Sequence, residues 1–331
     1  MENDAPTVDV TPPRYSLPLR RFRQLAIVTV AGVCLLTVAG AVVRLTGSGL
    51  GCDDWPNCNN ERFIDVSTGH AAIEQLNRLL SGVIGIPTLL LAIGAFRVFP
   101  RRAGLRWPSV GVLVTILGNG VVGGLAVRGD LHPSLVQSHF ILAMLSIGFG
   151  SVAVHRSHPA PVGDRRSIGV TPLVTALLGA LGVLVAAALV TGTVVTGAGP
   201  HAGDETARRY GFDISSVAEI HSVVVWISVA AFLALVVALR RAPSLHQRMA
   251  SKLSTWMFVA VVQGGIGYLQ YFTDVPAVLV AAHVAGATAL WIVTIQLLLA
   301  GLEPVEPGER LLHTTEGLAE SGFWFERTPI I

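Results

Sequence analysis

Apolar positions in this chain gather into eight long runs, at about 25–45, 73–96, 110–127, 135–154, 173–196, 217–239, 253–271 and 276–301, with polar connectors between them. About 20 apolar residues cross a bilayer core as a helix. In lipid a segment must satisfy its own backbone polar groups, and a helix does so. The pattern therefore predicts an all-α integral membrane protein with eight transmembrane helices. The third and seventh runs, short and glycine-rich, give the weakest signal.

Composition supports this picture. Of 331 residues, 52% are hydrophobic and 13% charged, where a soluble domain carries about 25% charged residues. Mean hydropathy is +0.62. Residues 1–21, rich in Pro, Asp and Thr before the first run, read as a disordered cytoplasmic N-terminus. Residues 302–331, with Glu303, Glu306, Glu309 and Glu316, read as a soluble cytoplasmic tail. The first run is too long for the core of a cleaved signal peptide.

Charge placement sets the orientation. Arginines precede the first run (Arg14, Arg20, Arg21, Arg23) and fill every second connector: Arg97, Arg101, Arg102 and Arg106, then Arg156, Arg165 and Arg166, then Arg240, Arg241 and Arg248 with Lys252. The alternate connectors hold mostly acids, among them Asp53, Asp54, Asp130, Asp204 and Asp213. By the positive-inside rule both termini are cytoplasmic, in a multi-pass protein of the plasma membrane. The net charge of +2 gives no hint of nucleic-acid binding.

The second half of the chain repeats the first. Residues 119–123 align with 263–267, Asp130 with Asp274 and His139 with His283, at one offset (283 − 139 = 144). The same offset carries Asn77 onto His221 (221 − 77 = 144). The stretch from Gly40 to Gly49 also matches that from Gly192 to Gly199, two residues shorter. Shared glycine and valine content is the bland alternative, and a constant offset across polar landmarks argues against it. The expected architecture is two parallel four-helix-bundle repeats, 22–156 and 173–301, joined by a cytoplasmic linker at 157–172. Each half has an even number of helices, so the two share one orientation.

Polar groups inside membrane helices are costly and mark functional sites. His139, His221 and His283 each lie early in a run that enters from the outside. Paired imidazoles between bundle helices suit the axial positions of a haem iron, with Gly264, Gly265, Gly267 and Gly286 leaving room for a macrocycle. An interhelical hydrogen bond is the ordinary alternative for one histidine. Glu74 lies three residues before Asn77 on one helix face. It is either a site carboxylate or a charge at a helix N-terminus, with Arg78 as its partner or as a ligand for a propionate. His70 and His132, two turns further out, line an outer mouth or are interfacial. Cys52 and Cys58 bracket a short outer loop, where a disulfide competes with free thiols or a ligand-poor metal site. Cys34 reads as packing.

The stretch from Arg44 to Cys52, followed by Trp55-Pro56 and Cys58, then Glu74 to Arg78, then His139, His221 and His283, resembles the haem A synthase family over about residues 22–301. The resemblance implies an eight-helix pseudo-twofold fold with haem b held between His221 and His283. It implies that the N-terminal half takes haem O as substrate and oxidises a ring methyl twice, the geminal diol losing water to leave the formyl group of haem A for cytochrome oxidase. Glu74 is then the proton acceptor, His139 the axial ligand of the substrate haem, and Arg44, Asn77 and Arg78 are further cofactor-binding residues. The family pattern in the second helix is Glu-x-x-His-Arg. Here Asn77 replaces the histidine, leaving His139 without an opposing imidazole. A haem O synthase and cytochrome oxidase assembly factors are the expected partners. The rival readings are a di-haem membrane cytochrome b that only carries electrons, for which Glu74 has no use, and a transporter with parallel repeats.

Overall fold

A computed structural model describes residues 13–158 and 170–302. Arg165, Arg166, most of the proposed linker, the tail and the first twelve residues lie outside the described residues. The described chain forms eight α-helices: α1 (Leu19–Leu45), α2 (Gly69–Gly94), α3 (Arg106–Arg128), α4 (Pro133–Arg156), α5 (Pro172–Ala198), α6 (Ile214–Leu239), α7 (Pro243–Phe272) and α8 (Ala277–Leu302). A two-residue parallel bridge, β1 (Leu17–Pro18) with β2 (Val98–Phe99), ties the start of α1 to the end of α2. Seven of the helices are long and apolar enough to cross a membrane. The chain is a multi-pass membrane protein.

The helix not among those seven is α7, which also departs most from the sequence expectation. It starts at Pro243 and not near residue 253. Its first three turns carry His246, Arg248 and Lys252, so they do not read as an apolar run. Pro243 at the first helical position suits a helix start, and Arg248 Nη2 donates to the Ala300 carbonyl of α8 (2.5 Å). Other starts are set locally. Thr68, Thr171 and Asp213 cap α2, α5 and α6, their side chains accepting from Ala71, Val174 and Ser216 N–H.

The short α3–α4 and α7–α8 connectors stop their helices in the same way. Asp130 and Leu131 have φ of 50° and 52°, and Asp274 and Val275 have 57° and 56°. Leu131 N–H donates to Ala126 O and Val275 N–H to Gln270 O, both at 2.8 Å. A six-to-one bond over left-handed residues satisfies the last carbonyls of a helix. It is strained for side chains such as Leu and Val.

Packing closes two rings of helices. In one, α1 lies against α2, α2 against α3, α3 against α4 and α4 against α1. In the other, α5–α6, α7–α8 and α5–α8 pack broadly, while α6 and α7 touch lightly. The diagonal pairs α2/α4 and α6/α8 make no extended contact. The rings meet through α4–α8, α1–α8 and α4–α5. Trp291 donates to Met144 O (2.8 Å), and Gln137 links Thr193 (2.8 Å) to the Tyr210 hydroxyl (2.9 Å).

Close packing is concentrated at the arginine-rich end. There Leu178, Leu181, Phe232, Leu239, Met249, Trp256 and Leu297 form one buried cluster, with Phe232 stacked on Trp256. Phe22, Ala26, Leu91, Ala95, Val98 and Leu105 form another. Large apolar side chains such as Leu76, Val83, Val114, Val183 and Phe258 are exposed, as a lipid-facing surface requires.

Candidate functional site

The three histidines lie at the end opposite the arginine-rich connectors. Counted along their helices, His139, His221 and His283 are six to seven residues from the first residue, a depth of about 9–10 Å at 1.5 Å per residue. Each ring lies against a glycine of the preceding helix. A methyl group placed on Gly123 would come 3.1 Å from His139 Cε1, one on Gly192 3.1 Å from His221 Cε1, and one on Gly267 3.0 Å from His283 Cε1. Glycine is what lets an imidazole nest there, since a side chain at these positions would push the ring into the bundle. The α2 position that corresponds to these histidines is Asn77. Its Oδ1 is buried and without a partner. The corresponding glycine on α1, Gly40, has nothing within 4 Å of where a methyl would stand. Of the expected room-making glycines, Gly267 faces His283 and Gly286 faces Gln263, while Gly264 and Gly265 face open space.

Ring nitrogens are held differently in the two halves. His221 Nδ1 is 3.0 Å from Thr191 Oγ1. The Thr191 hydroxyl donates to Ala187 O (2.9 Å), so it receives the Nδ1–H of His221 and leaves Nε2 with a free lone pair. His283 Nδ1 lies 3.1 Å from Gln263 Nε2, which also donates to the His283 carbonyl (3.0 Å). Gln263 Oε1 has no partner. Asn119 occupies the corresponding place opposite His139, one methylene shorter, and both Asn119 Oδ1 and His139 Nδ1 are buried without partners.

Glu74 is buried and doubly engaged. Its Oε1 pairs with Arg78 Nη2 (2.6 Å) and Nε (3.1 Å), and its Oε2 accepts the Cys52 N–H (2.8 Å). Arg78 Nη1 donates to Asp54 O and Asn57 O, each at 3.0 Å. Cys52 and Cys58 are joined by a disulfide, as expected from their spacing. Arg128 Nη2 donates to Trp55 O (2.6 Å) and Asp54 Oδ1 (3.2 Å). The Trp55 N–H donates to Asp54 Oδ1, and this bond, helped by Arg128, holds the Asp54 carboxyl below the usual carboxylate range. Labelling of denatured, unreduced protein with a thiol reagent is expected to modify Cys34 alone. Modification of three cysteines would contradict the disulfide.

The remaining sequence candidates lie at loops. Arg44 Nη1 donates to His201 O in the α5–α6 loop, so this arginine reaches from the first ring to the second. His70 is exposed, with Nδ1 3.0 Å from Ser48 Oγ. His132 caps α4 and pairs with Ser134 Oγ (2.8 Å). The structure brings Glu74, Arg78 and the Cys52–Cys58 loop together. Sequence reasoning missed Trp55, Arg128, Asn119, Thr191 and Gln263, whose contacts cross from one element to another. Of these, only Trp55, bracketed by the cysteines, and Asn119 and Gln263, aligned by the repeat, left a trace in the sequence.

The family model for the cytochrome oxidase assembly proteins COX15-CtaA matches residues 23–295. The chain belongs to this family. Among curated proteins, this COX15-CtaA member is similar to the heme A synthase of Geobacillus kaustophilus, 31% identical over 128 residues, which is 38% of this chain and 40% of the relative. It is also similar to the heme A synthases of Alkalihalophilus pseudofirmus, 28% identical over 129 residues (39% and 43%), and of Shouchella clausii, 31% identical over 133 residues (40% and 44%). The matched stretches span about two fifths of the length of each of these relatives.

Proposed function

We propose that this chain is a haem A synthase, an oxidoreductase that converts a ring methyl of haem O into the formyl group of haem A. The observation that carries this reading is the recurrence of one device: a ring-nesting glycine against a histidine at similar depth in three places, with Asn77 and the open surface of Gly40 at the repeat-equivalent positions of the fourth. The two helix rings are read as parallel repeats, 22–156 and 173–301, related by a pseudo-twofold axis near α4 and α8. Three features support this. The α1–α8 and α4–α5 contacts exchange under it, the two left-handed helix stops differ by one offset (274 − 130 = 144), and the pairs α2/α4 and α6/α8 alike make no extended contact. On this reading α7 also spans the membrane, the arginine-rich end and both termini are cytoplasmic, and the membrane is the plasma membrane.

In the second half His221 and His283 would hold haem b. The donor set fits: two imidazoles, glycine surfaces beside them, and the packed apolar cluster of α5–α8 kept to the opposite end. His221 already has its Nε2 free. As placed, Gln263 Nε2 faces both His283 Nδ1 and the His283 carbonyl, so ligation through His283 Nε2 would require this amide to turn and give up its bond to that carbonyl. When bound, haem b supplies one-electron transfer. The protein's part is to fix both rings and to exclude water from their surroundings.

In the first half His139 would ligate the substrate haem, with Asn77 offering its amide on the opposite face. Glu74 is the proton acceptor at the methyl being oxidised. Arg78 holds its carboxylate on the Asn77 face of α2, and the Cys52–Cys58 loop screens it from water. Arg44 and Arg78, which now hold the His201 carbonyl and the Glu74 carboxylate, would be the cations available to the propionates of a bound haem. A haem O synthase that hands over its product, and assembly factors of cytochrome oxidase, are the partners this reading implies. Extraction of haems from the purified protein followed by chromatography is expected to yield haems B, O and A. Haem B alone would favour an electron-carrying cytochrome b and overturn the reading.

A further inference from the structure

At the histidine-bearing end the two halves cover corresponding helix pairs, α2/α3 and α6/α7, by different means. Between α6 and α7, which touch lightly, Trp226 Nε1 donates to the Tyr268 hydroxyl (2.9 Å) and Ser222 Oγ lies 3.2 Å from it. Both aromatic side chains stand on helices, Tyr268 one residue after Gly267 and Trp226 five after His221. The repeat offset places Gly82 and Gly124 at these two positions in the first half (226 − 144 = 82; 268 − 144 = 124). The aromatic pair is thus absent there. A methyl at Gly82 would meet nothing within 4 Å, while one at Gly124 would come 2.5–2.8 Å from carbons of the Trp55 indole. The room vacated by a helix-borne tyrosine is filled by a tryptophan from the Cys52–Cys58 loop.

That loop is clamped through its backbone. Glu74 takes the Cys52 N–H, Arg78 the Asp54 and Asn57 carbonyls, and Arg128 the Trp55 carbonyl. A wall carried on a loop can swing aside by exchanging a few hydrogen bonds for water. A wall made of side chains on two helices opens only if the helices part or their rotamers rearrange. Loops are accordingly where such motion is found.

We propose that Trp55 is a removable plug over the seam of α2 and α3, seated on Gly124 with its loop held by Arg78, and that a haem-sized amphipathic molecule exchanges with the first half where it moves aside. The matching seam of the second half is bridged by the exposed, hydrogen-bonded pair Trp226 and Tyr268. The proposal rests on the reading that the first half holds a substrate and the second a resident cofactor. It gives that division a physical basis: what must enter and leave sits behind a loop, and what stays sits behind helices.

The test uses the full chain purified with haem b and loaded with haem O, challenged with excess apomyoglobin as haem acceptor and followed by absorbance. In the unaltered protein one haem is expected to transfer and one to remain. Trp55→Ala should raise the rate of the transferable haem by about tenfold or more, given how much packing a large aromatic provides. Gly124→Ala should raise it as well, because the added methyl displaces the indole while improving the intrinsic helix propensity of α3. Trp226→Ala should leave that rate unchanged. Unaltered rates in both Trp55→Ala and Gly124→Ala would overturn the plug while the division between substrate and cofactor stands. Faster transfer in Trp55→Ala alone would also overturn it, since Trp55 would then not act from its seat on Gly124. Absence of any transferable haem in the loaded, unaltered protein would overturn the functional reading and the plug together.

Discussion

Replacing either His221 or His283 with alanine is expected to abolish the low-spin b-type spectrum of the purified protein, because on the proposed reading each supplies one of two axial imidazoles. The helices should survive the change. The well-packed cluster of α5–α8 lies at the opposite end, around Leu178, Phe232, Met249 and Trp256, and none of these touches a histidine-bearing turn. Circular dichroism should therefore be retained while the haem absorbance is lost. The glycine partners make a graded version of the same experiment. Alanine at Gly192 or Gly267 puts a methyl 3.0–3.1 Å from a ring carbon, which requires the imidazole to move by a few tenths of an ångström. Those variants should keep the haem with a shifted spectrum. Unchanged spectra in both histidine variants would show that the glycine-nested rings serve another purpose.

The helices were legible in the chain because lipid solvation imposes a long apolar run for each crossing, and seven of the eight satisfy it outright. The α7 start was not legible. Its first three turns carry Arg248 and Lys252, which a hydropathy pattern assigns to a connector although the helix continues through them. The Cys52–Cys58 pairing could be read as a local spacing, and the Glu74–Arg78 pair as an i, i+4 neighbour relation on one helix. The clamp around them could not. Arg128 reaches Trp55 across 73 residues, Arg78 reaches Asp54 across 24 and Arg44 reaches His201 across 157, and nothing local to an arginine says which loop carbonyl it will find. The histidine-nesting glycines show the limit of composition as a guide. The chain has 35 glycines, and Gly123, Gly192 and Gly267 differ from Gly264 and Gly265 only by the face of the helix on which they fall.

Glu74→Gln is expected to stop haem A formation, a loss of about a hundredfold or more for a general base, and to leave the His221/His283 spectrum untouched. Glutamine is close in shape and keeps an oxygen for the Cys52 N–H; its NH2 replaces the acceptor of Arg78 Nη2 and Nε, but Arg78 Nη1 still holds Asp54 O and Asn57 O, so the loop stays seated. Glu74→Ala is a different experiment. It leaves the Cys52 N–H and part of the Arg78 guanidinium without partners, at about 1–3 kcal/mol for each buried group, and loosens the loop as well as removing the base. A difference between the two variants in stability, with equal loss of turnover, would separate the chemical role of the carboxylate from its role as a clamp. Normal turnover in Glu74→Gln would leave only the clamp. Asn77→His tests the facing position. Gly40 offers the open surface that Gly123, Gly192 and Gly267 give to the other three rings, so an imidazole at this position should be accommodated without displacing α1. The substrate haem should then become six-coordinate and low-spin, with a second imidazole opposite His139 in place of an amide that binds iron poorly. An unaltered substrate-haem spectrum would mean that Asn77 does not face the iron, and the correspondence between Asn77 and His221 would fall with it.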